Sequence, residues 1–184
     1  MHWLRSMSAL VLLTALSGLP HPAPGGSQAR SSLTREHLEK ELELASTRLL
    51  TLLEKGEPKQ FPALCAEEGV VFGLEPPPVA RKEIQRQMEK KEGAYCVLFD
   101  SACLSKPTGE GVQSLRSRIS LRERLRRATA REQEITMRLI ETTWVGELQV
   151  YLEGEPSVAT SRNQPLEFSF EYKDGRWRLI AITY

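Results

Sequence analysis

Hydrophobic residues recur every three or four positions in the first half of the chain and every second position near its end. In the segment 33–56 the apolar positions at helical spacing are Leu38, Leu42, Ala45, Leu49 and Leu53. This spacing lines one face of a helix, which Ser32 or Thr34 can cap at its start and Gly56 ends. The pattern predicts an amphipathic first helix that packs against a core.

Shorter segments extend this helical half. The stretch "KQFPALCAEEG" (59–69) predicts a short second helix or turn, and "ARKEIQRQMEKKEG" (80–93) predicts a third helix. In "ISLRERLRRATAREQ" (119–133), Ser120 and Glu123 have the spacing of a capping box, which predicts a fourth helix. Two continuous apolar runs, "GVVFG" (69–73) and "AYCVLFD" (94–100), predict buried strands.

The last third of the chain alternates between apolar and polar residues. The stretch "EITMRLIETTW" (134–144) predicts a strand, and "ELQVYL" (147–152) alternates apolar and polar side chains. The segments "LEFSFEY" (166–172) and "RWRLIAITY" (176–184) flank Asp174-Gly175, a dipeptide that favours hairpin turns. Helices followed by such strands predict an α+β fold, with helices covering one face of an antiparallel sheet.

The order of these elements, with "EEGVVFG", "RKEIQRQM" and the terminal "EYKDGRWRLIAITY", resembles the NTF2-like superfamily. This cone-shaped α+β fold is shared by SnoaL-like cyclases, ketosteroid isomerase and scytalone dehydratase. The resemblance covers roughly residues 32–184 and implies a curved sheet that ends in a C-terminal hairpin. It also implies that the inward-facing side chains of the last strand are those of Trp177, Leu179, Ala181 and Thr183.

The resemblance also indicates where a pocket would lie. Members that act on or bind a ligand often place a polar group late on the last strand, where this chain has Ala181 and Thr183. We therefore expect a cone largely filled with apolar side chains. The candidate pocket-lining residues are Tyr95, Asp100, Trp144, Phe168, Phe170, Trp177 and Thr183.

Residues 1–29 differ in character from the rest of the chain. The run "MSALVLLTAL" follows Arg5 and is shorter than the roughly 20 residues that span a bilayer. Ser27 and Ala29 are small residues at the two positions that a signal peptidase reads, and a cut after Ser17 is the alternative. The sequence predicts a signal peptide (1–29), an exported domain (30–184), periplasmic or secreted, and no transmembrane span.

Candidate catalytic groups are few. His37 is the one histidine after residue 29, and no G-x-S-x-G, G-x-G-x-x-G or Walker motif occurs. Asp100 with Tyr95, or Glu141, could supply carboxylate chemistry of the kind that ketosteroid isomerase uses, but Asp100 fits a cap and Glu141 a solvated position. We predict no catalytic residue and no cofactor.

The sequence allows two interpretations of the three cysteines of the domain. Cys96 and Cys103 could pair if the chain turns between them, or Cys65, Cys96 and Cys103 are all buried thiols. The absence of a C-x-x-C motif removes support for a zinc site, so we predict no metal.

Arginine clusters in one segment although the net charge is only +1. Seven arginines fall between residues 116 and 131: Arg116, Arg118, Arg122, Arg124, Arg126, Arg127 and Arg131. Such a basic amphipathic helix either contacts an anionic surface or is solvated. A near-neutral exported chain gives no reason to expect nucleic acid as a partner.

Three functions follow as hypotheses. The first is an exported, non-catalytic module that binds a hydrophobic small molecule or a protein, with a homodimer through the sheet. The second is a SnoaL-like lyase or isomerase with a carboxylate base. The third is a peripheral envelope protein that docks through its arginine-rich helix.

Overall fold

The computed structural model describes residues 34–74, 77–104, 119–153 and 165–184. The predicted signal peptide (1–29) lies outside these residues, as do Arg116 and Arg118. The helices are α1 (Arg35–Lys55), a 3-10 helix (Pro58–Leu64), α2 (Arg81–Lys90), α3 (Ala94–Phe99), α4 (Ser101–Leu104) and α5 (Leu121–Arg127). The strands are β1 (Val71–Phe72), β2 (Ala130–Ile140), β3 (Thr143–Glu153), β4 (Leu166–Lys173) and β5 (Arg176–Thr183).

The long first helix forms as its pattern predicts. The hydroxyl oxygen of Thr34 accepts a hydrogen bond from the backbone N–H of His37, which caps the start of α1. Gly56 ends the helix in a left-handed conformation with φ of 72°, which a residue without a Cβ adopts at little cost. The face predicted to be apolar is buried, including Leu38, Leu42 and Leu49.

The strands form one mixed sheet in the order β1-β5-β4-β3-β2. Strand β1 is parallel to β5, and the other neighbours are antiparallel. The helices pack on the inner face of the sheet, where Leu148, Val150 and Phe168 join the buried side of α1 in one core. This is the predicted α+β arrangement, and it agrees with an NTF2-like cone whose sheet is not closed. Among the described helices, none has the length and apolar character to cross a membrane.

The prediction of a strand at 94–100 is wrong, because this segment contains helix α3. The backbone N–H of Ala94 donates to the side-chain oxygen of Gln87 at 2.7 Å, which fixes the start of the helix against α2. A disulfide between Cys96 and Cys103 joins α3 to α4. A short continuous apolar run does not by itself distinguish a buried strand from a buried helix, and here the tertiary contacts decide.

The inward positions late in β5 are also not those that were predicted. Ser169 lies opposite Ala181, but the next residue, Phe170, lies opposite Leu179, so β5 has one extra residue at Ile180. Because of this bulge, each residue after Ile180 faces the side of the sheet opposite to the one predicted by simple alternation. Ile182 is therefore buried opposite Phe168, whereas Thr183 shares the outer face with its partner Glu167.

The predicted helix at 119–133 ends early. Helix α5 stops at Arg127 because Ala128 is extended and the backbone N–H of Thr129 donates to the carbonyl of Glu153 on β3. Arg131 consequently lies on β2, not on the helix. The predicted strand at 134–144 is likewise interrupted by a turn at Glu141, which has φ of 54°.

Candidate functional site

The inner face of the sheet is filled where the family resemblance would place a pocket. Phe168 and Phe170 are buried on β4. Trp177 on β5 is 7% exposed, and its indole N–H donates to the backbone carbonyl of Leu38 on α1 at 3.0 Å. On β3, Gly146 has no side chain, and a Cβ atom there would lie 2.4 Å from a methyl carbon of Leu42. Helix α1 therefore lies directly on the sheet at this point.

The remaining predicted pocket residues lie on different elements: Tyr95 and Asp100 at α3, and Trp144 on β3. Tyr95 stacks on Phe99 with ring centroids 5.8 Å apart, and Asp100 follows directly after that helix. The Asp100 carboxylate accepts a hydrogen bond of 2.9 Å from the backbone N–H of Ala102, so it caps α4. Trp144 is partly buried at the start of β3.

The arginines predicted to form a basic patch are Arg122, Arg124, Arg126, Arg127 and Arg131, and several of them contact other parts of the chain. The guanidinium of Arg122 donates to the carbonyls of Glu54 and Lys55, at 3.4 and 3.5 Å, at the C-terminus of α1. Arg127 forms an ion pair with Glu123, and Arg131 forms one with Glu54. These contacts give three of the five described arginines a structural role, since cations stabilise the negative end of a helix and acidic partners offset their charge.

A cleft of about 590 Å3 lies beside α5 and brings together two separate predictions, Asp100 and the basic patch. Its lining residues are Phe99, Asp100, Ser101, Ala102, Ser120, Arg122, Glu123, Arg126 and Arg127. The hydroxyl of Ser101 donates to Glu123, and this hydrogen bond, followed by Arg127, lowers the pKa of that carboxyl. Glu123 is therefore ionised at neutral pH and offsets part of the positive charge of the cleft.

A second opening, of about 460 Å3, lies between α1, the end of the 3-10 helix and the β4–β5 turn; we call it the α1–hairpin groove. Its lining residues are Glu41, Leu44, Ala45, Arg48, Ala63, Leu64, Gly175, Arg176, Trp177 and Arg178. Leu44 is 63% exposed although it is a large apolar residue. The groove thus combines an apolar wall with three arginines and one carboxylate.

The arginines of the groove differ from Arg127 and Arg131, which each form an ion pair with a glutamate. Arg178 is only 8% exposed, and its guanidinium donates to the backbone carbonyl of Ala63 at 2.7 Å. Across the described part of the chain, Arg48, Arg176 and Arg178 form no ion pair. Charged groups that are buried are usually paired, so Arg178 is unusual.

The sequence prediction did not find this groove. The alternation of Arg176, Trp177 and Arg178 was visible, but an alternating strand sends neighbouring side chains to opposite faces. Only the tertiary structure shows that Arg178 and Trp177 border one groove at the edge of β5. Arg48 and Leu44, from the exposed side of α1, complete it.

Cys65 is a buried free thiol and is not suited to nucleophilic chemistry. Burial raises its pKa to about 12, and the positive charge of Arg81 offsets this only in part. The thiolate, not the thiol, is the nucleophile, so this group is unreactive at neutral pH. In the described residues, no group of three or more His, Cys, Asp or Glu side chains could hold a metal ion.

Comparison with known proteins finds neighbours among solved structures only. No family model matches the sequence, and no curated protein matches it. An NTF2-like protein from Cytophaga hutchinsonii is 12% identical, with 82% of this chain and 96% of that chain covered and a TM-score of 0.41.

Two other solved structures give similar values. A proposed dehydratase of the NTF2-like family from Streptomyces avermitilis is 13% identical, with 82% of this chain and 96% of that chain covered and a TM-score of 0.39. A designed protein with a curved β-sheet is 11% identical, with 78% and 97% covered and a TM-score of 0.36. At these identities and TM-scores the comparisons give no information about family or activity, and the α+β arrangement is described from the chain's own element order and sheet topology.

Proposed function

We propose that this protein is an exported binding module of NTF2-like fold that holds a small hydrophobic molecule in the α1–hairpin groove. The observation that carries the proposal is the apolar wall of that groove, which leaves Leu44 63% exposed beside Leu64 and Trp177. An exposed apolar side chain in a concave site favours ligand binding, because the ligand removes that surface from water.

Binding is favoured over catalysis by what occupies the interior of the fold. A lyase or isomerase of this fold needs a carboxylate base that faces an apolar pocket. Here Phe168 and Phe170 are core residues, and the carboxylate of Asp100 caps a helix. The catalytic alternative would require a base from another position.

The proposal is tested by titrating the purified protein with octan-1-ol and with octanoate while recording the indole N–H signal of Trp177 by NMR. We expect a saturable shift with at least one of these probes. Leu44→Ala should weaken binding, whereas Leu74→Ala is the matched control because Leu74 is 85% exposed and does not line the groove. The absence of a saturable shift with both probes, or an unchanged affinity in Leu44→Ala, would overturn the proposal.

Export is supported by two features of the chain. Residues 1–29 have the pattern of a signal peptide, and Cys96 and Cys103 form a disulfide. Disulfides form and persist mainly in oxidising compartments outside the cytosol. The intact mass of the protein recovered from the cell envelope or medium should match a chain that starts at Arg30; a full-length cytoplasmic product would contradict export.

A homodimer through the sheet stays a prediction. The outer face of β3 and β4 is open and polar, with Gln149 donating to Glu167 at 3.2 Å and Glu171 partly exposed nearby. Light scattering of the purified protein should give twice the mass of the mature chain. A monomer mass at the highest soluble concentration would exclude this dimer.

A further inference from the structure

We infer that the α1–hairpin groove selects an amphipathic anion, a small molecule with an apolar body and a carboxylate or phosphate head. The inference rests on the proposed function and adds the chemical class of the ligand. It starts from Arg178, a residue that is only 8% exposed and whose guanidinium has one hydrogen bond, to the carbonyl of Ala63, among the described contacts. A guanidinium has five N–H donors, so the described protein groups satisfy only part of its hydrogen-bonding capacity and a ligand can accept from the rest.

Two of the acidic residues near Arg178 are paired with other cations. A smaller opening on its other side, of about 140 Å3, contains Glu67 and Glu68. Glu67 pairs with Arg81 at 2.9 Å, and Glu68 pairs with Lys173. Glu171 lies opposite Arg178 in the β4–β5 register, but the two form no ion pair. Asp174 lines the same opening and also forms no ion pair with Arg178, so no carboxylate of the described chain lies within ion-pair distance of this guanidinium.

Two further arginines face the same groove. Arg48 on α1 and Arg176 on β5 are exposed and form no ion pair in the part of the chain that the structure describes. One acidic residue, Glu41, lines the groove, so its formal charges are three positive and one negative. An anion that enters the groove gains attraction from all three arginines at a partly desolvated position.

The shape of the groove limits the size of the ligand. A volume of about 460 Å3 is in the range of small-molecule sites and too small for a folded partner. Arginine binds carboxylate and phosphate in the same planar, two-bond geometry, so the head group is one of these two. Leu44, Leu64 and Trp177 provide the surface on which the apolar body packs.

The experiment compares ligands that share one tail. Octanoate, octan-1-ol and octylammonium carry an anionic, a neutral and a cationic head, and octyl phosphate distinguishes the two anionic head groups. We expect octanoate or octyl phosphate to bind at least tenfold more tightly than octan-1-ol, octylammonium to bind more weakly than octan-1-ol, and inorganic phosphate alone to bind weakly. Anion affinity should fall as salt rises, because salt screens the arginines.

Variants then assign the selectivity to the groove. Arg48→Gln and Arg176→Gln change exposed side chains and should each weaken octanoate binding about threefold to tenfold, with a clearly smaller effect on octan-1-ol binding. Arg35→Gln is the matched control, since Arg35 lies on the same helix and pairs with Glu39 outside the groove. Arg178→Gln should lose most of the anion preference, and the two exposed variants keep the test valid if it does not fold.

The outcomes separate the two claims. If octan-1-ol binds as tightly as octanoate and octyl phosphate, the groove is a hydrophobic site and the anion inference is wrong, while the proposed function stands. If anion preference is present but equal in Arg48→Gln, Arg176→Gln and the native protein, the anion binds elsewhere and the inference is wrong. If none of the probes shifts the Trp177 signal, both the inference and the proposed function fail.

Discussion

The indole N–H of Trp177 donates a hydrogen bond of 3.0 Å to the backbone carbonyl oxygen of Leu38, and this contact links the last strand to the first helix. Tyr172 packs edge-on against the same indole, with ring centroids 5.3 Å apart. The Trp177 side chain thus joins β5 to α1 in two ways, by packing its ring in the core and by donating a hydrogen bond from its indole nitrogen.

Replacing Trp177 with Ala should destabilise the fold by roughly 3–5 kcal/mol, the usual cost of deleting a buried aromatic side chain. Trp177→Phe keeps a ring but removes the donor to Leu38, so it should cost less than the alanine variant and lose about 1 kcal/mol for the hydrogen bond. Urea unfolding curves measure both. A loss under about 1 kcal/mol in Trp177→Ala would mean that this ring does not support the core.

Gly146 is expected to be intolerant of even a methyl group. A Cβ atom there would lie 2.4 Å from Leu42, whose side chain is buried between α1 and β3. Gly146→Ala should destabilise by about 1–3 kcal/mol, the usual cost of overpacking. The double variant Gly146→Ala/Leu42→Ala should lose less than the sum of the two single losses, because the new methyl group fills the space that Leu42 leaves. Strict additivity in thermal or urea unfolding would contradict this contact.

Arg122 and Arg126 form a matched pair on α5. The guanidinium of Arg122 donates to the carbonyls of Glu54 and Lys55, whereas Arg126 is exposed and has no hydrogen bond to a described residue. Arg122→Ala should therefore cost about 1 kcal/mol through the C-terminus of α1, and Arg126→Ala should stay within about 0.5 kcal/mol of the native protein. Equal losses in the two variants would show that Arg122 has no special role.

Binding to anionic vesicles is expected to be weak or absent at physiological salt. Each free Lys or Arg near an anionic leaflet contributes about 1 kcal/mol, but Arg122, Arg127 and Arg131 are held by other parts of the fold. Co-sedimentation with anionic and neutral vesicles at low and physiological salt measures this. Strong binding that survives physiological salt and is lost in an Arg124/Arg126/Arg127 triple alanine variant would favour docking through this helix.

Thiol chemistry should distinguish Cys65 from the paired cysteines. The native protein should expose no reactive thiol, the denatured protein one, and the denatured, reduced protein three, because Cys65 is buried and Cys96 pairs with Cys103. Titration with a chromogenic disulfide reagent counts them. One rapidly reacting thiol in the native state would show that Cys65 is accessible.

The raised pKa of Cys65 also predicts a dependence of stability on pH. The thiol ionises near its ordinary value of 9.0 when the chain is unfolded and near 12 when it is folded. The folded state therefore holds a proton that the unfolded state releases, so this contribution to stability is complete below about pH 9 and is lost as pH rises toward 12. Cys65→Ala should reduce the slope of unfolding free energy against pH in this window; an unchanged slope would contradict the assignment.

The sequence by itself determined the elements whose patterns are long. The helical spacing of Leu38, Leu42 and Leu49 predicted α1, and Gly56 predicted where it ends. The strict alternation of apolar and polar residues around Phe168 predicted the buried face of β4. The Asp174-Gly175 turn placed the last hairpin. In each case the local pattern and the tertiary contacts favour the same structure, so the order of elements and the α+β architecture could be predicted.

The tertiary structure decided what local patterns leave ambiguous. The short apolar run at 94–100 is a helix because Gln87 and the Cys96–Cys103 disulfide hold it there, and the bulge at Ile180 reverses the side chains that follow it. The α1–hairpin groove depends on Arg48, Trp177 and Arg178 coming together from distant segments. The hydrophobic periodicity of a helix or strand predicts which of its own faces is buried. It does not predict a groove between two elements, because such a groove depends on how the two elements pack against each other.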